Sequence, residues 1–333
     1  MILTVHDARA LVERCMVAVG HAADDAAAIA DHLIDCELRG LSFGGLPRAL
    51  SIAERLATMG GQRTPIATVH ETPVSARLDG GLQVGYLVAH RATEVAIAKA
   101  RASGLAVVGA SRTWYTGMFS YYLERIAAAG FVGMLAGSGS WKVAPHGGTE
   151  GRYSTNPIAF GFPSTTTPVI WDIGTSSVMV GEVVLKGRLG EPLADGLAYD
   201  AEGRPTRDPL EALKGAFTVW GGHKGSGLAM CVQMLAMLGG QAVCPGNLDD
   251  CGFLAVVVDP DLLGERDAFL QRVSDYAQAM RETRPLDPAR PVRVPFDRSL
   301  AEREARTRAD RIEVADAVHD ALRRVADRAD RRA

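Results

Sequence analysis

Gly221-Gly-His-Lys-Gly-Ser-Gly227, running into Leu228-Ala-Met-Cys-Val-Gln-Met-Leu-Ala-Met-Leu238, is the stretch on which the reading of this chain turns. It reads as a glycine-rich turn feeding a long apolar helix. Glycines let backbone amides face outward and approach a ligand closely. A helix start leaves its first N–H groups unpaired at the positive end of the dipole. Phosphate suits such a place, and Lys224 adds a full charge. The spacing is neither G-x-x-x-x-G-K-[ST] nor G-x-G-x-x-G, so the turn taken alone is equally an ordinary start to a core helix.

The chain around it has 333 residues, about two ordinary domains and ample for a large core. An apolar fraction of 47% and a charged fraction of 23% are those of a globular protein. A net charge of −3 argues against a nucleic-acid partner. No apolar run reaches membrane-spanning length, and Met1 to Asp7 has no basic segment leading into an apolar one. Cys15, Cys36, Cys231, Cys244 and Cys251 are odd in number and form no C-x-x-C pair. They predict reduced thiols, a cytoplasmic setting and no metal.

Working outward, residues 4–58 read as three helices: Asp7 to Val19, Asp24 or Asp25 to Leu38, and about Leu46 to Met59. Gly20, Gly40 and Gly60-Gly61 stop them. The link Arg39-Gly-Leu-Ser-Phe-Gly-Gly-Leu-Pro-Arg48 carries an arginine at each end. Arg48 opposes the dipole of the helix it begins, and alone it reads as a solvated arginine. Residues 64–80 read as two short strands, and Leu82 to Ala102 as a helix stopped by Gly104. Buried strands at Leu105–Gly109 and Phe131–Leu135 flank a helix from Met118 to Ala129. Beyond the Lys224 helix come a strand, Phe253 to Val258, and helices at about 266–282, 298–308 and 315–328. The alternation predicts an α/β layer. Asp172 closes an apolar strand and is followed by small hydroxyl residues, the kind of loop in which such layers bind ligands.

Five motifs in order carry a resemblance: APHGGTE (144–150), STNPIAFGFP (154–163), WDIGTSS (171–177), YDAEGRPTRDP (199–209) and GGHKGSGLA (221–229). Together they resemble the type-2 malate/L-lactate dehydrogenase family, over nearly the whole chain as far as Arg311-Ile-Glu-Val314. The resemblance implies an α/β (α+β) fold that is not a Rossmann domain. Its mixed, largely antiparallel sheet with flanking helices would hold NADH or NADPH. It also implies a small-molecule substrate and a homodimer with active sites near the subunit boundary. The regions would be 1–62 with 285–333 as packed helices, 63–135 for substrate and catalysis, and 136–284 for the nucleotide. Carried over by position, the cofactor would meet Asp172, Ile173, Gly174, Thr175, Ser176, Ser177, His223, Lys224, Gly225, Arg311, Ile312 and Glu313. Ser138 and Ser140 would touch cofactor or substrate.

Two departures matter. Members show R-G-x-x-S-H-G-x-x-R near the N-terminus; here Arg39, Gly40, Gly45 and Arg48 fit, but Phe43-Gly44 replaces Ser-His. Members also carry S-N-H, whose histidine is the acid/base; here Thr113-Trp114-Tyr115 stands there, with Tyr115 on the histidine position. Reducing a carbonyl puts negative charge on oxygen, so a donor is needed. Tyrosine, ordinarily near pKa 10, serves reduction more easily than the reverse oxidation. Tyr115 is therefore read as the donor, or as an aromatic wall, and Arg48 as a bidentate carboxylate partner. Phe43 and Gly44 make the pocket roomier and apolar. Lys142 and His146 are substitute proton sources, although His146 reads first as a structural residue of a glycine-rich loop. A protonated imine needs little acid help, so an imino acid fits somewhat better than a keto acid. A 2-hydroxy-acid dehydrogenase with a relocated acid, or a non-catalytic NAD(P)-binding sensor, are the alternatives.

Overall fold

Thr4 opens the first helix, α1 (Val5–Ala18): its Oγ1 accepts the Asp7 N–H at 2.9 Å, satisfying one orphan donor of the helix start. The computed structural model describes residues 1–59, 62–243 and 250–330, with side chains to 327. The Gly60-Gly61 stop, Cys244 and the end beyond 330 lie outside the described residues. The other helices are α2 (Ala23–Leu38), α3 (Leu46–Thr58), α4 (Gly85–Ser103), α5 (Phe119–Ala128), α6 (Val180–Leu189), α7 (Pro209–Lys214), α8 (Gly222–Leu238), α9 (Arg266–Arg281), α10 (Asp297–Ala309) and α11 (Asp316–Asp330). The strands are β1 (Ile2–Leu3), β2 (Ala67–Thr72), β3 (Ser75–Asp79), β4 (Leu105–Thr113), β5 (Val132–Ser138), β6 (Ile158–Phe162), β7 (Val169–Ile173), β8 (Ala198–Tyr199), β9 (Pro205–Thr206), β10 (Ala216–Phe217), β11 (Cys251–Val258) and β12 (Ile312–Glu313).

The main sheet has seven strands in the order β2-β3-β4-β11-β5-β6-β7. Only β3 and β4 run parallel; every other pair is antiparallel. The sheet is therefore mixed and largely antiparallel, with helices flanking it. Alternating elements do not make it parallel, because β11 arrives late in the chain and inserts antiparallel between β4 and β5. Its run Cys251-Gly-Phe-Leu-Ala-Val-Val-Val258 is apolar on both faces, which suits a central strand covered on two sides. Phe253, Ala255 and Val257 face the core under α4 and α5. Leu254 faces Val232 of α8 on the other side, the period-two split of a strand.

A helical core joins α1, α2, α3 and α11 through Leu11, Met16, Ile29, Leu33, Leu50, Val318 and Leu322. It reaches across to Trp114 and Cys251, so the sheet and the terminal helices share one core. The small sheet β10-β8-β9 packs on Val143, Tyr153, Val178 and Ala229. The glycine stretch is shorter as a turn than the sequence suggests: the helix already begins at Gly222, with Gly221 its N-cap at φ +69°. No helix among the described residues is long and apolar enough to cross a membrane.

Candidate active site

Arg48 stands in the first turn of α3 with its guanidinium 4.4 Å above the Tyr115 ring, a cation–π contact. It is partly exposed and has no ion-pair or hydrogen-bond partner among the described residues. Two neighbours shape the space. A Cβ on Gly181, at the start of α6, would stand 2.4 Å from Arg48 Nη2 and 3.0 Å from Phe43 Cδ2. Phe43, Arg48 and Tyr115 thus meet at one place, as their positions in sequence suggest. Gly44 differs: a Cβ there would meet Cys36 Sγ at 3.4 Å, an ordinary contact, so α2 does not require the glycine.

Buried Glu37 holds this corner from below. Its Oε1 accepts the Leu46 N–H at 2.6 Å, at the start of the helix that carries Arg48. Gly45 is bare because a Cβ would lie 2.2 Å from that oxygen. Burial pushes the Glu37 carboxyl up to about 7. Nothing in the sequence singled it out, since a glutamate on a helix usually faces water.

Tyr115 sits at φ +54°, a left-handed conformation that a tyrosine seldom adopts unless its surroundings impose it. They do. Trp114 donates its indole N–H to Leu82 O at 2.8 Å and accepts the Gly85 N–H at 2.6 Å. Tyr122 donates its hydroxyl to Thr116 O at 2.9 Å.

The second group of residues gathers at the start of α8. Gly221 and Gly222 have φ of +69° and +59°, open to glycine at no steric cost. Gly225 is bare because a Cβ would lie 1.6 Å from Trp220 O. Ser226 Oγ accepts the His146 N–H at 3.1 Å and shares a hydrogen bond with Tyr153 Oη at 2.8 Å. The His146 and His223 rings stand 6.2 Å apart. His146 therefore belongs with the helix start, and no described contact brings it to Tyr115. Lys224 is exposed without a partner among the described residues.

One segment links the two groups. Trp220 donates its N–H to Thr175 O at 2.8 Å and Ser177 donates to Thr218 O at 2.9 Å, so the approach to α8 runs beside 175–177. The same segment continues into α6 and Gly181 beside Arg48. Within it, Ile173, Gly174 and Ser177 are partly exposed. Thr175 and Ser176 are buried and spend their hydroxyls on Thr155 O, Asn156 O and Val178 O. Asp172 accepts the Ser120 N–H at 2.8 Å, capping α5, and burial raises its carboxyl to about 6. Buried Ser138 donates to Gln233 Oε1 at 2.6 Å, while Ser140 is partly exposed. Lys142 donates to Leu213 O at 2.7 Å, closing the end of α7. Arg311 pairs with Glu313 at 2.7 Å, and buried Ile312 pairs across β12 to β1. No described contact brings these three to Lys224.

The model of the malate/L-lactate dehydrogenase family matches residues 3–323. The chain belongs to that family. It is 32% identical to the (2R)-3-sulfolactate dehydrogenase (NADP(+)) of Chromohalobacter salexigens, over 96% of this chain and 97% of that one. It is 32% identical to the ureidoglycolate dehydrogenase (NAD(+)) of Escherichia coli K12, over 84% and 82%. It superposes on the delta1-piperideine-2-carboxylate reductase of Pseudomonas syringae pvar. tomato with a TM-score of 0.83 and 26% identity, over 98% of this chain and 99% of that one. This type-2 malate/lactate dehydrogenase relative is accordingly an NAD(P)-dependent oxidoreductase using NADH or NADPH. The start of α8 fits such a nucleotide: among the described residues its first-turn N–H groups and Lys224 have no partner.

Proposed function

We propose that this protein is an NAD(P)H-dependent reductase of an imino (C=N) or keto acid. The observation that carries the reading is the guanidinium of Arg48, without a partner among the described residues, stacked on Tyr115, where the usual imidazole is missing. Lys224, His223 and the N–H groups of the first turn of α8 would hold the phosphates. Bound there, the reduced nicotinamide supplies hydride. Arg48 grips the substrate carboxylate through two parallel hydrogen bonds. Tyr115 presents its hydroxyl to the atom that gains negative charge, or to the nitrogen of an imine. Phe43, packed beside Gly181, would make that side of the pocket apolar.

A protonated imine is already electrophilic, which suits a site without either imidazole. The piperideine carboxylate named for the solved relative is such a substrate. The hydroxy-acid reading is kept because the sulfolactate and ureidoglycolate relatives act on hydroxy acids by name; Tyr115 would then serve in both directions. We further propose a homodimer in the cytoplasm. Gly227, Met230, Cys231, Met234 and Leu238 form an exposed stripe on α8 at three- and four-residue spacing, an apolar face of the kind that marks an interface.

The experiment is a panel of cyclic imino acids and 2-keto acids with NADH and with NADPH, repeated on Tyr115→Phe. Turnover should be fastest on an imine, and the variant should lose about a hundredfold in kcat on the 2-keto acids and less on the imine. Fastest turnover of pyruvate or oxaloacetate, unchanged in Tyr115→Phe, sinks the reading.

A further inference from the structure

We propose that His32 is a positioning residue: its imidazole Nε2, taking the Met118 N–H, fixes the Trp114–Met118 loop so that Tyr115 meets Arg48. The inference rests on the reading of Tyr115 and Arg48 as the substrate-facing pair. His32 lies on α2, 1% exposed, far in sequence from the loop it touches. Nε2 accepts the Met118 N–H at 2.9 Å. The ring is enclosed by Tyr86, Tyr121 and Tyr122, with centroids at 4.7, 4.4 and 5.3 Å.

Three further observations separate this from plain packing. First, Nδ1 has no hydrogen-bond partner among the described residues. With Nε2 accepting, Nδ1 carries the proton, so an unsatisfied donor is kept in the core. A leucine in that space would carry no such cost. The acceptor at Nε2 is what the imidazole adds. Second, loop and ring are fitted to each other. Gly117 has φ +81°, and a Cβ there would lie 2.5 Å from His32 Nε2 and 2.6 Å from Tyr86 Cε1. Third, the remaining loop groups are also tied: Trp114 to Leu82 and Gly85, Thr116 to Tyr122. The tethers at 114, 116 and 118 bracket Tyr115, whose own left-handed backbone needs such support. Burial lowers the imidazole to about 3; of the charged groups around it Asp31 opposes the shift, while Arg125, Arg39 and His90 add to it. Nε2 therefore remains an acceptor across the working pH range.

The test compares His32→Leu, which keeps bulk and removes the acceptor, with His32→Gln, whose amide oxygen reaches the Nε2 position. Tyrosine labelled at Cζ gives a carbon resonance for each of the seven tyrosines, and Tyr115→Phe assigns the one needed. In His32→Leu the Tyr115 resonance should move, and kcat should fall about tenfold or more while KM for the nucleotide holds. His32→Gln should restore the resonance and bring kcat back to within about threefold of the parent. An unmoved Tyr115 resonance in His32→Leu overturns the inference whatever turnover does. A displaced resonance with intact turnover upholds the hold on the loop and removes Tyr115 from the proposed reaction instead. Should His32→Leu fail to fold, Gly117→Ala pushes the loop off the same imidazole. The same displacement is then expected, and its absence is equally fatal.

Discussion

Arg48 shows how little a residue type says until its neighbours are known. By sequence it is an arginine against the dipole of its own helix, an arrangement that costs a few tenths of a kcal/mol on a surface. In the fold it lies on an aromatic ring, with no hydrogen-bond partner among the described residues, and the proposed carboxylate role gives the cost a use. Lysine offers one compact charge without the planar fork. Arg48→Lys is therefore expected to raise KM for a carboxylate substrate about tenfold or more while nucleotide affinity holds. Steady-state kinetics against both ligands, beside nucleotide titration by fluorescence, checks it. An unchanged substrate KM would remove Arg48 from the carboxylate role. Lys142 is the opposite lesson: placed in the pocket by its position in sequence, it spends its amine on the last turn of α7.

At the scale of elements, α3 and α8 make separate demands. The start of α3 rests on Glu37, whose folded carboxyl at about 7 lies above the ordinary 4.5. The folded chain keeps that proton while the unfolded chain has released it, so stability drops as pH rises from 4.5 through 7. Glu37→Gln still accepts the Leu46 N–H and has no proton to lose. It should be more stable than the parent at about pH 8, by roughly 1–3 kcal/mol, and lose that advantage near pH 5. Thermal melts across that range decide it, and parallel curves would refute it. In α8 the glycines have unlike reasons. Gly225→Ala drives a Cβ into Trp220 O and should cost on the order of 3 kcal/mol. Gly227→Ala meets empty space within the chain and should raise the stability of the free protein by about 0.5–1 kcal/mol. It should weaken nucleotide binding or self-association, since something outside the chain is expected to lie there. Equal melting temperatures for the two variants would contradict this account.

For the whole molecule, the exposed stripe on α8 is what the fold leaves unfinished, with Met230 at 56%, Met234 at 51% and Leu238 at 70% exposure. A dimer closing on it should dissociate in Met230→Glu/Met234→Glu, as sedimentation velocity at micromolar concentration would show. A parent protein that sediments as a monomer would end the proposal. The elements themselves were largely legible: Gly104 stops α4 where expected, and β11 is apolar enough to be recognised as buried. So was the meeting of Phe43, Arg48 and Tyr115, because ordered motifs carry position as well as composition. Local sequence determined which segments are helix or strand, through periodicity and glycine stops, and which residues could carry chemistry. Only the tertiary structure decided where β11 inserts, that Asp172 caps α5, and that His32 and Glu37 face inward to hold the loop and the helix beside the site. Those facts depend on contacts between residues far apart in the chain, and a residue's own type and near neighbours hold no record of the partner that will bury it.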